Sequence, residues 1–222
     1  GVGMILALGR KVNLKERLLI KEAMNMDTGK GMVSLVKNVL KVTLCFEVAG
    51  AVLSFICFSR HYPPLKALGV SLFHSIAAFN NSGFDNMGNF QNLIPYQDDV
   101  LLNMTTCILI IFGGLGFLVI VDILKKRSFK KLAFHSKAVI TTTIVLLVSG
   151  TLFIQMTEDI TWMGAFFTSV SARTAGFSTF SLGDFTSAGL LVVTVLMFMG
   201  ASPGSTGGGI KTSTIFVIFS AI

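Results

Sequence analysis

Two short segments of this 222-residue chain place a glycine and a phenylalanine directly after small residues. The first turn is Asn80-Asn-Ser-Gly-Phe84 and the second turn is Arg173-Thr-Ala-Gly-Phe177, and each follows a short apolar stretch. Glycine permits backbone conformations that other residues avoid, so an extended turn can expose a row of carbonyl oxygens. Such oxygens can replace the water shell of a potassium or sodium ion. The C-terminal end of the preceding helix adds partial negative charge. The two turns therefore predict cation binding by backbone oxygens.

A third segment, the 200–211 loop, is rich in glycine and interrupts an apolar stretch. Pro203 lacks an N–H donor and kinks a helix, while small polar side chains can bond the backbone groups that a break frees. A phosphate-binding loop is excluded, because Ile210 separates Gly209 from Lys211 and the G-x-x-x-x-G-K-[ST] pattern is missed by one residue. The segment predicts a flexible break in a membrane helix, which Lys211 could hold to a partner. Its residues are Gly200, Ala201, Ser202, Pro203, Gly204, Ser205, Thr206, Gly207, Gly208, Gly209 and Lys211.

The composition is that of an integral membrane protein. Hydrophobic residues make up 52% and charged residues only 13%, against about 25% charged in soluble domains. The mean hydropathy is +0.76. The net charge of +7 is concentrated in segments 9–30 and 125–137, which the positive-inside rule places in the cytoplasm. The charge is therefore a sign of topology and does not indicate nucleic-acid binding. The three cysteines lie in apolar stretches without the spacing of a zinc site or a disulfide framework.

The lengths of the apolar stretches predict which elements position the turns. Stretches of about 20 residues cross a bilayer, whereas shorter ones suggest re-entrant segments. Asp159 is the predicted N-cap of the second short helix. The predicted spans are Val33–Phe58, Val100–Leu124, Ala138–Met156 and a further one from Ala188, and the predicted re-entrant helices are Leu65–Phe79 and Ile160–Ala172.

An internal repeat accounts for this order. Residues 73–84 align without gaps to residues 166–177, and repeats are common in transport proteins. The predicted fold is an all-α membrane protein of repeated helix–re-entrant pore helix–helix (M1-P-M2) units. Both ends look cut, so we expect an internal fragment of a longer protein. Residues 1–32 are the end of an outgoing helix plus a cytoplasmic amphipathic linker, 33–131 are one whole unit, and 132–222 are the next unit, truncated at its C-terminus.

The two turns and the 200–211 loop resemble the filter turns and the intramembrane gating loop of the Trk/Ktr/HKT potassium transporter superfamily. The likeness is greatest to the membrane subunits of bacterial Ktr systems and covers nearly the whole chain. It implies four repeats with pseudo-fourfold symmetry in the full protein, of which repeats two and three are largely present here. The filter backbone would be Asn81, Ser82, Gly83 and Phe84 with Thr174, Ala175, Gly176 and Phe177, whose carbonyl oxygens would hold potassium.

The resemblance implies potassium uptake across a bacterial plasma membrane by a multi-pass protein. It implies a homodimer, embedded in lipid, that binds a cytoplasmic ring of nucleotide-binding regulatory subunits and no nucleic acid. No covalent cofactor is expected, and sodium dependence stays open. The alternative is a membrane-embedded enzyme or a non-transporting assembly subunit. An enzyme is disfavoured because the sequence has no paired carboxylates or histidine cluster at membrane depth, so we predict that the chain is not one.

Four single residues keep two interpretations at this stage. Arg173 is either a charge in the pore or is buried behind its turn and fixes it by hydrogen bonds. Glu47, inside a span, is either functional or paired with a neighbouring helix. His74 and Trp162 are interpreted as packing or interface residues.

Overall fold

The computed structural model describes residues 32–88 and 91–220. The chain divides into two units between Phe46 and Glu47. Residues 32–46 are the described part of the first unit and belong to a helix. The predicted first segment, 1–32, lies almost entirely outside the described residues.

Eight α-helices form the described part of the chain, which contains no β-strand. Short 3₁₀ turns occur at Ile94–Tyr96, Phe129–Lys131 and Leu182–Asp184. The helices are α1 (Met32–Phe58), α2 (Pro64–Phe79), α3 (Val100–Leu115), α4 (Phe117–Lys126), α5 (Phe134–Thr157), α6 (Trp162–Ala172), α7 (Ser187–Phe198) and α8 (Thr212–Ser220).

Helices α1 and α5 are long and apolar enough to cross a membrane, over 22 residues from Lys37 and over 24 residues respectively. Helices α2 and α6 contain only 16 and 11 residues. At 1.5 Å per residue they reach about 24 Å and about 17 Å, less than the roughly 30 Å of a bilayer core. Large apolar side chains on α5, such as Val145 and Val148, are more than half exposed, as expected of a surface that faces lipid.

Helix α2 lies against α1 at a glycine. The hydroxyl of Ser75 donates to the carbonyl oxygen of Glu47 at 2.7 Å. A Cβ added at Gly50 would lie 2.5 Å from that hydroxyl and 2.6 Å from a methyl carbon of Leu109 on α3. The missing side chain of Gly50 is therefore what lets three helices meet.

The same types of residue join α5, α6 and α7. Ser169 donates from its hydroxyl to the carbonyl oxygen of Leu147 at 3.1 Å. A Cβ at Gly150 would overlap the Ser169 hydroxyl and would lie 3.0 Å from a methyl carbon of Leu196. Each short helix thus has a serine that contacts a glycine of the long helix preceding it.

The predicted span Val100–Leu124 is broken in the structure. Helices α3 and α4 meet at an angle of 99°, with Gly116 between them at φ 88° and ψ 145°. This conformation is open to glycine and costly for other residues. The prediction of one continuous helix is therefore wrong at Gly116.

The predicted N-cap of the second short helix is also wrong. Helix α6 begins at Trp162, and its cap is Thr161, whose hydroxyl accepts a 3.1 Å hydrogen bond from the N–H of Gly164. Asp159 lies outside the helix. Threonine and aspartate both cap helices well, so the residue types alone do not distinguish Thr161 from Asp159 as the cap.

Candidate functional site

The first turn begins where α2 ends. Ser82 bonds back to the carbonyl oxygen of Ala77 through its N–H at 3.0 Å and its hydroxyl at 3.1 Å. The residues on either side of Ser82 have left-handed backbones, Asn81 at φ 51° and Gly83 at φ 68°, and they reverse the chain. Asparagine and glycine are the residues that tolerate this conformation best. The sequence therefore forms an irregular turn at the end of α2, as predicted.

The second turn is held around one carbonyl oxygen. The N–H groups of Thr174, Ala175 and Gly176 all point to the oxygen of Ser171, at 3.3, 2.9 and 3.1 Å. Gly176 has φ 83°. The hydroxyl of Ser171 donates to the carbonyl oxygen of Phe177 at 2.6 Å, so this predicted filter oxygen already has a protein partner.

The two turns meet directly. The α-carbon of Gly83 faces the carbonyl group of Ala175 so closely that an added Cβ would overlap its oxygen and would lie 3.2 Å from its carbon. Gly176, by contrast, has open space where its Cβ would lie. The contact is therefore made by backbone atoms of both turns.

The phenylalanines of the two turns have different surroundings. Phe177 is only 4% exposed, and its ring lies edge to face against His74, with 5.2 Å between the ring centroids. The Nε2 of His74 is 2.9 Å from the hydroxyl of Thr106, which itself donates to Leu102. His74 is a packing residue, as expected. Phe84 is 69% exposed.

The 200–211 loop occupies the gap between α7 and α8. Its two ends are joined by backbone hydrogen bonds of 3.0 Å, from Gly200 N–H to Ile210 and from Ala201 N–H to Gly208. The ammonium group of Lys211 donates to the carbonyl oxygen of Gly207 at 2.9 Å. The predicted break in the helix is confirmed, and the partner of Lys211 lies within the loop itself.

The loop lies against the break between α3 and α4. The N–H of Ser202 donates to the carbonyl oxygen of Gly114 at 3.0 Å, and the N–H of Phe117 donates to Gly204 at 3.2 Å. A Cβ at Gly116 would lie 2.7 Å from the carbonyl oxygen of Pro203. Each break therefore supplies partners for backbone groups that the other leaves without a helical partner.

Thr206 links the loop to the first turn. Its hydroxyl oxygen lies 3.1 Å from the carbonyl oxygen of Phe79 and 3.2 Å from that of Gly113. The side-chain amide of Asn81 is also 3.2 Å away. We orient this amide with its oxygen towards Thr206 and the N–H of Gly114, because the reverse would place two donors together. The one hydroxyl hydrogen of Thr206 is shared among these three acceptors, and the last carbonyl of α2 lies against the loop.

Arg173 links the loop to the second turn. Its guanidinium group donates to the carbonyl oxygens of Met199 at 3.4 Å and Gly200 at 3.2 Å. A Cβ at Gly207 would lie 2.9 Å from the methyl carbon of Thr174. Arg173 forms hydrogen bonds, as one of its two interpretations expects, but they join it to Met199 and Gly200 and do not fix its own turn as that interpretation proposed.

The family described as "TrkH: Cation transport protein" matches residues 8–161 and 136–222. The chain belongs to the TrkH family. It is therefore an integral protein of the bacterial plasma membrane, and the predicted family is confirmed.

Three relatives of this TrkH-family chain are similar over nearly its whole length. Ktr system potassium uptake protein B from Bacillus subtilis is 34% identical over 99% of the chain and 52% of the relative. The protein of the same name from Vibrio alginolyticus is 37% identical over 98% and 50%. Potassium/sodium uptake protein NtpJ from Enterococcus hirae is 34% identical over 94% and 48%. The chain thus spans about half the length of these relatives. All three are named as ion uptake proteins, which agrees with the prediction that the chain is not an enzyme.

The fold of the chain resembles that of the potassium transporter TrkH from Vibrio parahaemolyticus. The TM-score is 0.69 at 20% identity, covering 91% of this chain and 44% of that one. At this identity the comparison concerns the fold alone. It supports the all-helical membrane architecture.

Glu47 and Asn92 complete the polar surroundings of the turns in this TrkH-family chain. The carboxylate of Glu47 accepts a 3.2 Å hydrogen bond from the side chain of Asn80, so it is paired next to the first turn. The side chain of Asn92 contacts Gly83 in the first turn and Ser178, which follows the second turn. Asn92 was not a predicted site residue, because nothing in its local sequence distinguishes it from a loop asparagine.

Proposed function

We propose that this chain is part of the ion-translocating subunit of a potassium uptake system and forms two of the four walls of a carbonyl-lined filter. The contact between Gly83 and the carbonyl group of Ala175 carries the proposal. It brings together two irregular turns, each of which follows the C-terminal end of a short helix in a membrane protein. Irregular backbone at membrane depth persists only where it is buried in protein or lines a watery cavity.

The two walls belong to two M1-P-M2 units, residues 33–131 and 132–222, of a pseudo-fourfold assembly. Each unit has a long helix, a short helix, a turn and an interrupted outgoing helix. The matching contacts of Gly50 with Ser75 and of Gly150 with Ser169 support the repeat. The remaining two walls lie in parts of the transporter that this chain does not contain.

Potassium is the transported ion in this proposal. Two of the relatives are named for potassium uptake and a third for potassium and sodium uptake, so sodium dependence remains to be tested. The carbonyl oxygens would replace water around the ion. The proposed filter residues are Asn81, Ser82, Gly83, Phe84, Thr174, Ala175, Gly176 and Phe177.

The 200–211 loop is the gate in this proposal. Its bonds with Arg173 and Asn81 support a position next to both turns. The hydrogen bonds of Arg173 and Lys211 would hold the loop in place in the closed state. Withdrawal of the loop would open the pathway.

The transporter is expected to be a homodimer in lipid with a cytoplasmic ring of nucleotide-binding regulatory subunits. The basic segment 125–137 is a proposed contact for that ring. A binding assay between the full transporter and such a ring, with the lysines of this segment replaced by glutamine, tests this part of the proposal.

The filter is tested by Gly83→Ser and Gly176→Ser in the full-length transporter, reconstituted in liposomes. Both should lower the preference for potassium over sodium in competition flux assays, because the new side chain disturbs the carbonyl geometry. Gly88→Ser is the matched control, since Gly88 also has positive φ, at 92°, but lies outside the turns with open space around it. Unchanged preference in both filter variants would contradict the proposal and favour a non-transporting assembly subunit.

A further inference from the structure

The side chain of Asn92 bonds to the first turn and to the residue that follows the second turn. Its side-chain oxygen accepts a hydrogen bond from the N–H of Ser178, which follows the second turn, at 3.2 Å. Its side-chain nitrogen donates to the carbonyl oxygen of Gly83, in the first turn, at 3.5 Å. One amide therefore spans two segments that belong to different units of the chain.

The residues after Asn92 hold it in a fixed place. Leu93 is fully buried, and its N–H donates both to the Asn92 side-chain oxygen at 2.9 Å and to the carbonyl oxygen of Ser178 at 3.1 Å. The buried side chain of Asn103 donates to the carbonyl oxygens of Tyr96 and Gln97 at 3.1 and 2.9 Å. The segment that presents Asn92 is thus anchored on the start of α3.

Aromatic packing anchors the same segment from the other side. The ring of Tyr96 lies edge to face against Phe58 and His61, with centroid distances of 5.3 Å in each case. Burial, followed by the hydrogen bond to Tyr62, raises the pKa of the Tyr96 phenol. The buried ring of Tyr96 thus anchors the segment that follows Asn92.

Asparagine suits this position for two physical reasons. Asn92 has φ 50°, in the left-handed region that asparagine tolerates better than most residues. Its amide provides a donor and an acceptor in one group. The two N–H groups of Leu93 and Ser178 fix which end is the oxygen, and the nitrogen is then left to face Gly83.

We propose that Asn92 is a positioning residue of the filter, which sets the spacing between the turn of one unit and the turn of the next. This inference rests on the filter function proposed above. The hydrogen bonds within each turn fix the shape of that turn, but they do not fix its distance from the other. A bridge between Gly83 and Ser178 does so, and carbonyl spacing determines which ion is coordinated well.

The test is Asn92→Gly in the full-length transporter, because glycine keeps the left-handed backbone and removes the side chain that forms the bridge. We expect the potassium-to-sodium preference to fall about two- to tenfold, the range for the loss of one hydrogen bond, here the one to the carbonyl oxygen of Gly83. The amount in the membrane and the melting temperature should stay near those of the wild type. Asn92→Asp keeps the acceptor but loses the donor to Gly83, and it should also lower the preference.

Gln91→Gly is the matched control, since Gln91 is the exposed neighbour and its replacement should leave the preference unchanged. An unchanged preference in Asn92→Gly would overturn the inference, as would an equal loss of both fluxes. If Asn92→Gly does not insert into the membrane, the same two outcomes are measured for Asn92→Asp. Gly83→Ser and Gly176→Ser, measured in parallel, separate the two proposals: if they lose preference and Asn92→Gly does not, the filter stands and the role of Asn92 fails.

Discussion

The guanidinium group of Arg173 donates a 3.2 Å hydrogen bond to the carbonyl oxygen of Gly200. Arg173 begins the second turn and Gly200 begins the 200–211 loop. One side chain therefore joins the proposed filter to the proposed gate. The relationship is polar and directional, so its removal should change the position of the loop more than the shape of the turn.

We expect Arg173→Met to raise the potassium leak of the unactivated transporter. Hydrogen bonds to charged groups contribute about 1.5–3 kcal/mol each, so the population with the loop displaced should rise by about tenfold or more. Arg173→Lys keeps the charge without the planar fork and should give an intermediate leak. Potassium efflux from proteoliposomes measures the effect. A leak equal to that of the wild type in Arg173→Met would show that these bonds do not hold the gate.

Thr206→Val removes one hydroxyl with little change in volume. The carbonyl oxygens of Phe79 and Gly113 would each lose a 3.1–3.2 Å contact, and we expect unactivated flux to rise about two- to tenfold. Thr194→Val is the matched control, because the Thr194 hydroxyl bonds to Leu190 on its own helix. An equal rise in both variants would argue against a specific link through Thr206.

Gly116→Ala should destabilise the transporter. The backbone conformation at Gly116 costs other residues about 1–3 kcal/mol, and the new methyl group would lie 2.7 Å from the carbonyl oxygen of Pro203. We expect the melting temperature of the purified protein to fall by several degrees. Gly114→Ala is the control, since its Cβ would have its nearest neighbour at 3.6 Å. A stable Gly116→Ala protein would mean that the break between α3 and α4 can relax.

Glu47→Gln separates the two interpretations of this carboxylate. Glutamine keeps an oxygen that can accept the hydrogen bond from Asn80 and removes the charge. We expect potassium flux to remain near the wild-type value, whereas Glu47→Leu, which loses the acceptor, should reduce the flux. A large loss of flux in Glu47→Gln would instead assign a role to the charge.

The elements that carry the proposed site could be predicted because their signals are local. Helix α2 follows from the length of its apolar stretch, and the break after Phe198 follows from Pro203 and the neighbouring glycines. The break at Gly116 could not be predicted in this way. It depends on contacts with Pro203 and Gly204, which are far away in the sequence, and glycine within an apolar stretch is also common in unbroken membrane helices.

The same distinction applies to the site. Gly83 and Gly176 were found because a repeat marks them, and both have the left-handed backbone that glycine favours. Asn92 was missed because its bond to Ser178 joins residues 86 positions apart. No periodicity or spacing in a single sequence reports such a contact. Thr161 was missed for a different reason, since a second good cap stands two residues before it.

The mutual bonding of the two helix breaks has a consequence for hydration. Ser202 and Phe117 donate hydrogen bonds across the junction, and their partners would lose them if the loop moved away. In an apolar surrounding, each unmet backbone group costs several kcal/mol. Water can meet these groups, so movement of the loop and wetting of the junction should occur as one event. High osmotic pressure, which withdraws water from cavities inside the protein, should then hold the pathway shut.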